Sequence, residues 1–318
     1  MRERVSVSVS EAWASRVLGD HVGTKSPLLA TRPAFLSTSI LSRHISVDLK
    51  DPLFQRMKDQ ILAAEQLGER ICGAATVTRH YTKRELDAGA LYRLLPAARV
   101  EFSGVDCGTK YDWNSACPRC GAGRRALGPL MIAVEALDRR MDVQATLDGN
   151  EVLISKPLAA ALVSHNLSGF NVAPIVDSHT GRVSEDWMQL VVTYQCGSAT
   201  RQTGFGIDVI HPDTTGRFQC DHHNYMGLRC LTEVTVAHWD HNEDIGHTPD
   251  TVGLLDGSVA PHPLLLITSR FREAFILANA RGIALEVAHV DGCLRVAGAE
   301  RLRDAPKRMA QDARGSPT

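Results

Sequence analysis

Net charge is almost absent from this sequence: 35 lysines and arginines face 36 aspartates and glutamates, leaving −1 over 318 residues. That balance excludes a global basic footprint for nucleic acid or acidic membrane surfaces, while leaving room for a local patch. No apolar run approaches the ~18 residues that a membrane-spanning helix needs. Residues 5–10 alternate valine and serine, and residues 1–10 lack the apolar core of a secretion signal. We therefore expect a cytoplasmic protein with no membrane partner. Cysteine is sparse as well. Eight scattered residues do not make a disulfide framework, and in a reducing compartment clustered cysteines read more readily as metal ligands.

Several catalytic templates are missing. A nucleobase deaminase needs His-x-Glu upstream of Pro-Cys-x-x-Cys, but here His241-x-Glu243 lies downstream of Cys117, and Ala116 precedes that cysteine. The segment from Gly19 through Gly23 to Lys25 and Ser26 is misspaced for a phosphate loop. Gly121-x-Gly123-x-x-Ala126 follows a cysteine pair where a dinucleotide site requires a strand. No Gly-x-Ser-x-Gly elbow occurs.

What is present describes an ordinary globular chain, 44% hydrophobic and 22% charged, with enough length for a substantial core. Residues 1–47 show weak periodicity and read as an N-terminal arm. Residues 48–100 read as a helical region. Asp51-Pro52 is a cap followed by proline at the first helical position, and Phe54, Met57, Ile61, Leu62 and Ala64 follow at helical spacing up to Gly68. A capping box from Thr82 to Glu85 predicts a second helix through Leu86, Ala90, Leu91 and Leu94, ending before Pro96.

From residue 101 one order of features occurs twice. In residues 101–182 a Cys-x-x-Cys pair precedes Asp142 and Thr146, the run Val152-Leu153-Ile154-Ser155, a helical pattern and Gly169. In residues 183–300 a Cys-x-x-His pair precedes Asp244 and Thr248, the run Leu265-Leu266-Ile267-Thr268, a helical pattern and Gly282. Ser155 to Gly169 and Thr268 to Gly282 both span fourteen residues, and polar punctuation matches along with hydrophobic pattern. The expected fold is α+β: a helical N-terminal region, then two related sheet-containing halves joined around a zinc-knuckle-like site. Residues 301–318 read as a flexible tail.

Cys117-Pro-Arg-Cys120-Gly has the spacing of a metal knuckle, with Pro118 stiffening the turn and Gly121 permitting it. The equivalent place in the second half is Cys220-Asp-His-His223. We expect Cys117, Cys120, Cys220 and His223 to hold one structural Zn²⁺ that clamps the halves together. Cys107, His222 and Cys230 are rival ligands, and unpaired structural thiols or a redox dithiol are the alternatives. Seven of the thirteen histidines lie between residues 211 and 262. His238, Asp240, His241, Glu243 and His247 therefore raise a second possibility, a metal-dependent hydrolase using the 238–247 cluster. Arg124 and Arg125, beside the knuckle, read as a solvated face, with phosphate contact as the alternative.

Trp113-x-x-x-Cys117-Pro-Arg-Cys120-Gly resembles the double-CXXCG motif family of bacterial proteins, which includes immunity proteins against polymorphic toxins. Cys220-Asp-His-His223 stands where that family has its second CXXCG. The resemblance implies a protein partner, a toxin neutralised by binding. The resulting expectation is a zinc-stabilised interaction protein, which the resemblance specifies as an immunity protein, with the hydrolase and a nucleic-acid-associated zinc ribbon as alternatives.

Overall fold

The computed structural model describes residues 1–10, 13–14, 29–30, 42–69, 71–101, 103–217, 220, 224–226, 229–253 and 260–292. The chain divides into two compact units, Met1–Leu86 with Phe205–Thr214, and Asp87–Gly204 with Thr215–Thr318. The predicted tail at 301–318 lies outside the described residues.

Among its described residues the first unit has a four-stranded sheet against which a long helix packs. Strands β1 (Arg2–Ser10), β2 (Leu29–Ala30), β3 (Ser42–Asp48) and β4 (Cys72–His80) lie in the order β2-β3-β1-β4. The valine–serine alternation that opens the chain is a strand signal. Its two-residue period places Val5, Val7 and Val9 on the core face, each at most 1% exposed. Across the sheet Val5 meets Val47 and Val77, and Glu3 pairs with Arg79 at 3.0 Å. Helix α1 (Pro52–Gln66) begins at the Asp51 cap, whose side chain accepts from the Leu53 N–H at 2.8 Å, and buries Phe54, Met57 and Ile61 in that core. A returning segment, with β14 (Phe205–Gly206), adds Ile210 to the same core.

The expected α+β fold with a helical N-terminal region is therefore wrong: the described residues are mostly strand, segment 1–47, read as an arm, supplies strands of a sheet, and 48–100 is helical only in part. β1 and β3 are paired strands. The capping box does form, with the Thr82 N–H donating to Glu85 at 2.8 Å, but helix α2 stops at Lys83–Ala88. Leu91–Pro96, read as its continuation, is strand β5. Pairing on both of its edges outweighs a weak local helix preference, and the chain breaks at Gly89, whose carbonyl accepts from the buried Tyr92 hydroxyl at 2.5 Å.

The second unit holds two six-stranded sheets of one design. The first contains β6 (Arg99–Val100), β9 (Leu130–Ile132), β10 (Val143–Thr146), β11 (Val152–Ser155), β12 (Phe170–Asp177) and β13 (Val183–Val192), ordered β6-β10-β11-β13-β12-β9. The second contains β5, β15 (Asn224–Met226), β17 (Val234–Val236), β18 (Ile245–Gly253), β19 (His262–Thr268) and β20 (Ile283–Val290), ordered β15-β18-β19-β5-β20-β17. Matching neighbours run in matching directions, antiparallel through the four central strands and parallel at both edges. One position is filled differently. β13 follows its half in the chain, whereas β5 reaches its place from almost two hundred residues upstream, where Arg93 donates to Glu286. The boundary expected at residue 182 therefore cuts through the first sheet, and the second sheet draws a strand from 48–100.

The repeated polar residues explain how the halves lock. Asp142 accepts from the Ser155 hydroxyl at 2.9 Å in its own half and from the Arg281 N–H at 2.9 Å in the other. Asp244 accepts from the Thr268 hydroxyl at 3.1 Å and from the Ser168 N–H at 3.1 Å, again across the halves. Ser155 and Thr268 also cap helices α3 (Lys156–Ser164) and α4 (Ser269–Leu277). Each helix leads through a left-handed asparagine, Asn166 or Asn279, to Gly169 (φ +89°) or Gly282 (φ +90°). A side chain on Gly169 would overlap the Ile245 carbonyl, and one on Gly282 the Val143 carbonyl. Gly169→Ala and Gly282→Ala should therefore each cost roughly 2–4 kcal/mol, from left-handed strain together with the backbone overlap, measured by denaturant unfolding.

In the first unit, His211 joins the returning segment to α1, its ring nitrogens lying 2.7 Å from Glu65 and 3.0 Å from Asp208. Burial works against its protonation, but the Glu65 hydrogen bond and the Asp208 charge outweigh it and raise the pKa above the ordinary histidine value. Folding thus favours the charged ring. Its stabilisation is complete below the unfolded value of about 6.5 and is lost as pH rises through the higher folded value. His211→Ala should lower the melting temperature more at about pH 6 than at about pH 9, as read by thermal melts across that range.

Candidate metal centre

The knuckle sits in a short hairpin, β7 (Tyr111–Asp112) paired with β8 (Arg125–Ala126). Between them the Cys117 N–H donates to the Ala122 carbonyl and the Gly121 N–H to the Cys117 carbonyl, both at 2.8 Å. Gly121 (φ +71°) supplies the left-handed step that closes this turn. The turn aims both cysteine side chains inward, where Cys220 meets them. All three sulfurs lie within 4.8 Å of one another, and the Cys117 and Cys220 sulfurs are 3.8 Å apart. That separation is far beyond the ~2.05 Å of a disulfide and suits a shared ion. Cys120 is fully buried, Cys220 is 3% exposed, and Ala122 packs beside them.

Burial opposes ionisation of Cys117, but hydrogen bonds from the Cys120 thiol, the Arg119 and Cys120 backbone and the Cys220 thiol more than offset it. The Cys117 pKa is lowered as a result, toward the thiolate form that ligates metals. The cluster could hold a metal ion, and it is the single group of three or more potential ligands gathered this closely among the described residues.

The other candidates are placed differently. His222 and His223 lie outside the described residues. Cys107 ends a 3-10 turn (Gly104–Cys107) and is not part of the cluster. Cys230, in the two-residue strand β16 (Arg229–Cys230), donates to the Thr232 carbonyl at 3.2 Å. His238 and His241 are exposed. Their neighbours build the turn into β18: the Asp240 N–H donates to the Tyr194 hydroxyl at 2.7 Å, the Trp239 indole to the Glu243 carbonyl at 3.1 Å, and Asp244 pairs with Arg270 at 2.9 Å. These residues are not brought together as a metal site.

Arg124 is not on a solvated face. Its side chain is 5% exposed, ion-paired with equally buried Asp148, and lies over the rings of Tyr111 at 4.4 Å and Trp113 at 5.3 Å. Beside it the Tyr111 hydroxyl donates to Glu151 at 2.7 Å, and the Thr146 hydroxyl lies 2.8 Å from both Asp148 and Glu151. A small recess lined by Ser103, Asp106, Arg124, Asp148 and Glu151 opens over this group. Sequence spacing held no signal for it, because its members come from segments up to forty residues apart and resemble surface polar residues.

No protein-family model matches the chain, and no curated protein matches it either. Among the described residues no helix is long and apolar enough to cross a membrane.

Removing any one sulfur should empty the cluster. Cys117→Ser, Cys120→Ser and Cys220→Ser are each expected to lower metal content per purified chain and to reduce the melting temperature. Unchanged metal content across the three, measured by elemental analysis, would show that they hold no common ion.

Proposed function

We propose that this chain is a zinc-stabilised interaction protein, acting as an immunity protein that neutralises a toxin by binding it. The observation that carries the zinc reading is the sulfur cluster. Tetrahedral zinc–sulfur bonds of about 2.3 Å place neighbouring sulfurs about 3.8 Å apart, and Cys117 and Cys220 stand at 3.8 Å. Three thiolates completed by one imidazole are the donor set of closed structural sites rather than of catalytic sites, which keep a coordination position open. His223 supplies the fourth ligand in this proposal. The ion would then join segments more than a hundred residues apart in sequence, so its binding energy would be folding energy.

The binding role draws its support from the Trp113–Gly121 motif and its resemblance to the double-CXXCG family. The proposed compartment is the cytoplasm, where the thiols stay reduced. Residues 238–247 are not gathered into a cluster of potential metal ligands that would favour the hydrolase, and the near-zero net charge favours no nucleic-acid partner.

Two measurements test the proposal. Purified protein should carry about one zinc per chain, and His223→Ala should weaken its retention. Where a neighbouring gene encodes a growth-inhibiting toxin, co-expression of this chain with it should restore growth, and the Cys117→Ser/Cys220→Ser variant should fail to do so. Zinc-loaded protein that neither binds that toxin nor restores growth would leave the metal site standing and remove the immunity function.

A further inference from the structure

The hydrogen atoms around Thr146 can be counted. Its hydroxyl carries one hydrogen and two lone pairs. It accepts from the Glu151 N–H at 3.1 Å, and two carboxyl groups, Asp148 and Glu151, each bring an oxygen to 2.8 Å. If both were carboxylates, one of these contacts would set an anionic oxygen against a lone pair with no hydrogen between them. One carboxyl must therefore bring its own proton.

Asp148 is the wrong candidate. It is paired with the Arg124 guanidinium and also accepts from the Asn150 N–H at 3.0 Å. Glu151 faces no such cation directly. Its other oxygen already accepts from Tyr111, so its free proton can go to Thr146. Each of these contacts then has its hydrogen: Tyr111 to Glu151, Glu151 to Thr146, Thr146 to Asp148, and Arg124 to Asp148.

We propose that Glu151 is a neutral carboxylic acid at neutral pH, and that its proton is a pH-sensitive latch holding the knuckle hairpin against the β10–β11 turn. The geometry of the latch follows from the ends of the chain. Tyr111 lies in β7 and Arg124 immediately precedes β8, so the network grips both arms of the hairpin. Thr146 ends β10, and Asp148 and Glu151 lie in the turn that follows it. Losing the proton puts a second negative charge beside Asp148 and removes the donor that Thr146 requires.

The charged and titratable groups facing Glu151 are Asp148 from its own turn, Tyr111 from β7 and Arg124 from the approach to β8. Asp106 lines the same recess from the 3-10 turn. Burial and then Asp148 raise the Glu151 pKa, against the lowering influence of Tyr111, Thr146 and Arg124. The raised value sets the sign. The latch contributes fully below the unfolded value of about 4.5 and is lost as pH rises through the folded one. None of this depends on the metal, since Glu151 is neither a ligand nor a sequence neighbour of one.

The test compares the full chain with Glu151→Gln, whose amide is neutral at every pH and still offers a donor and an acceptor. Melting temperature and hydrogen exchange of residues 108–127 are followed between about pH 6 and about pH 9. The wild type should lose at least about 3 °C relative to the variant over that range, with faster exchange in the hairpin. His211 titrates in both proteins and cancels in the comparison. Parallel pH curves would overturn the proposal. Should the variant not fold, infrared spectra of wild-type protein carrying ¹³C-labelled glutamate decide: an isotope-shifted carboxylic-acid band at neutral pH supports the latch, and its absence refutes it.

Discussion

Two aspartates hold the larger unit together by working across the repeat rather than within it. Asp142 and Asp244 each fasten the hydroxyl that caps their own helix and the backbone before the glycine of the opposite half. Each glycine must be bare and left-handed, because the other half's backbone occupies the space of its side chain. Neither half can make these bonds alone. The interaction therefore makes the two halves a single folded object.

The borrowed strand has the same consequence. β5 closes the second sheet from the N-terminal side of both halves, so that sheet cannot be completed until distant segments have met. Pairing over such separations carries a loop-closure cost that local helices avoid. A buried ion joining Cys117 to Cys220 would offset part of that cost by making a second link between remote segments.

Errors in reading the sequence cluster where local and distant signals disagree. The Asp51 cap and the buried face of α1 are visible in residues 51–68 because a helix satisfies its own backbone, so its signal is local. Leu91 to Leu95 looked helical for want of any sign that two strands almost two hundred residues away would pair with it. The valine–serine alternation of β1 does have the two-residue period of a strand. That period does not name its partners, β3 and β4, which return only after intervening segments of other character. Arg124 looked like surface for a similar reason: the partner that makes its burial tolerable, Asp148, lies two dozen residues on.

The sequence by itself determined the Cys-x-x-Cys turn, the repeated aspartate, hydroxyl and glycine spacing and the caps of the helices, since each depends on a few neighbouring residues and their backbone angles. The repeat also pointed Cys220 to the knuckle, whereas tertiary structure alone decided that β5 belongs to the far sheet and that Glu151 shares one hydroxyl with Asp148. Those facts depend on where the chain returns in space. Return points are set by burial and long-range pairing, which leave no fixed spacing along the chain.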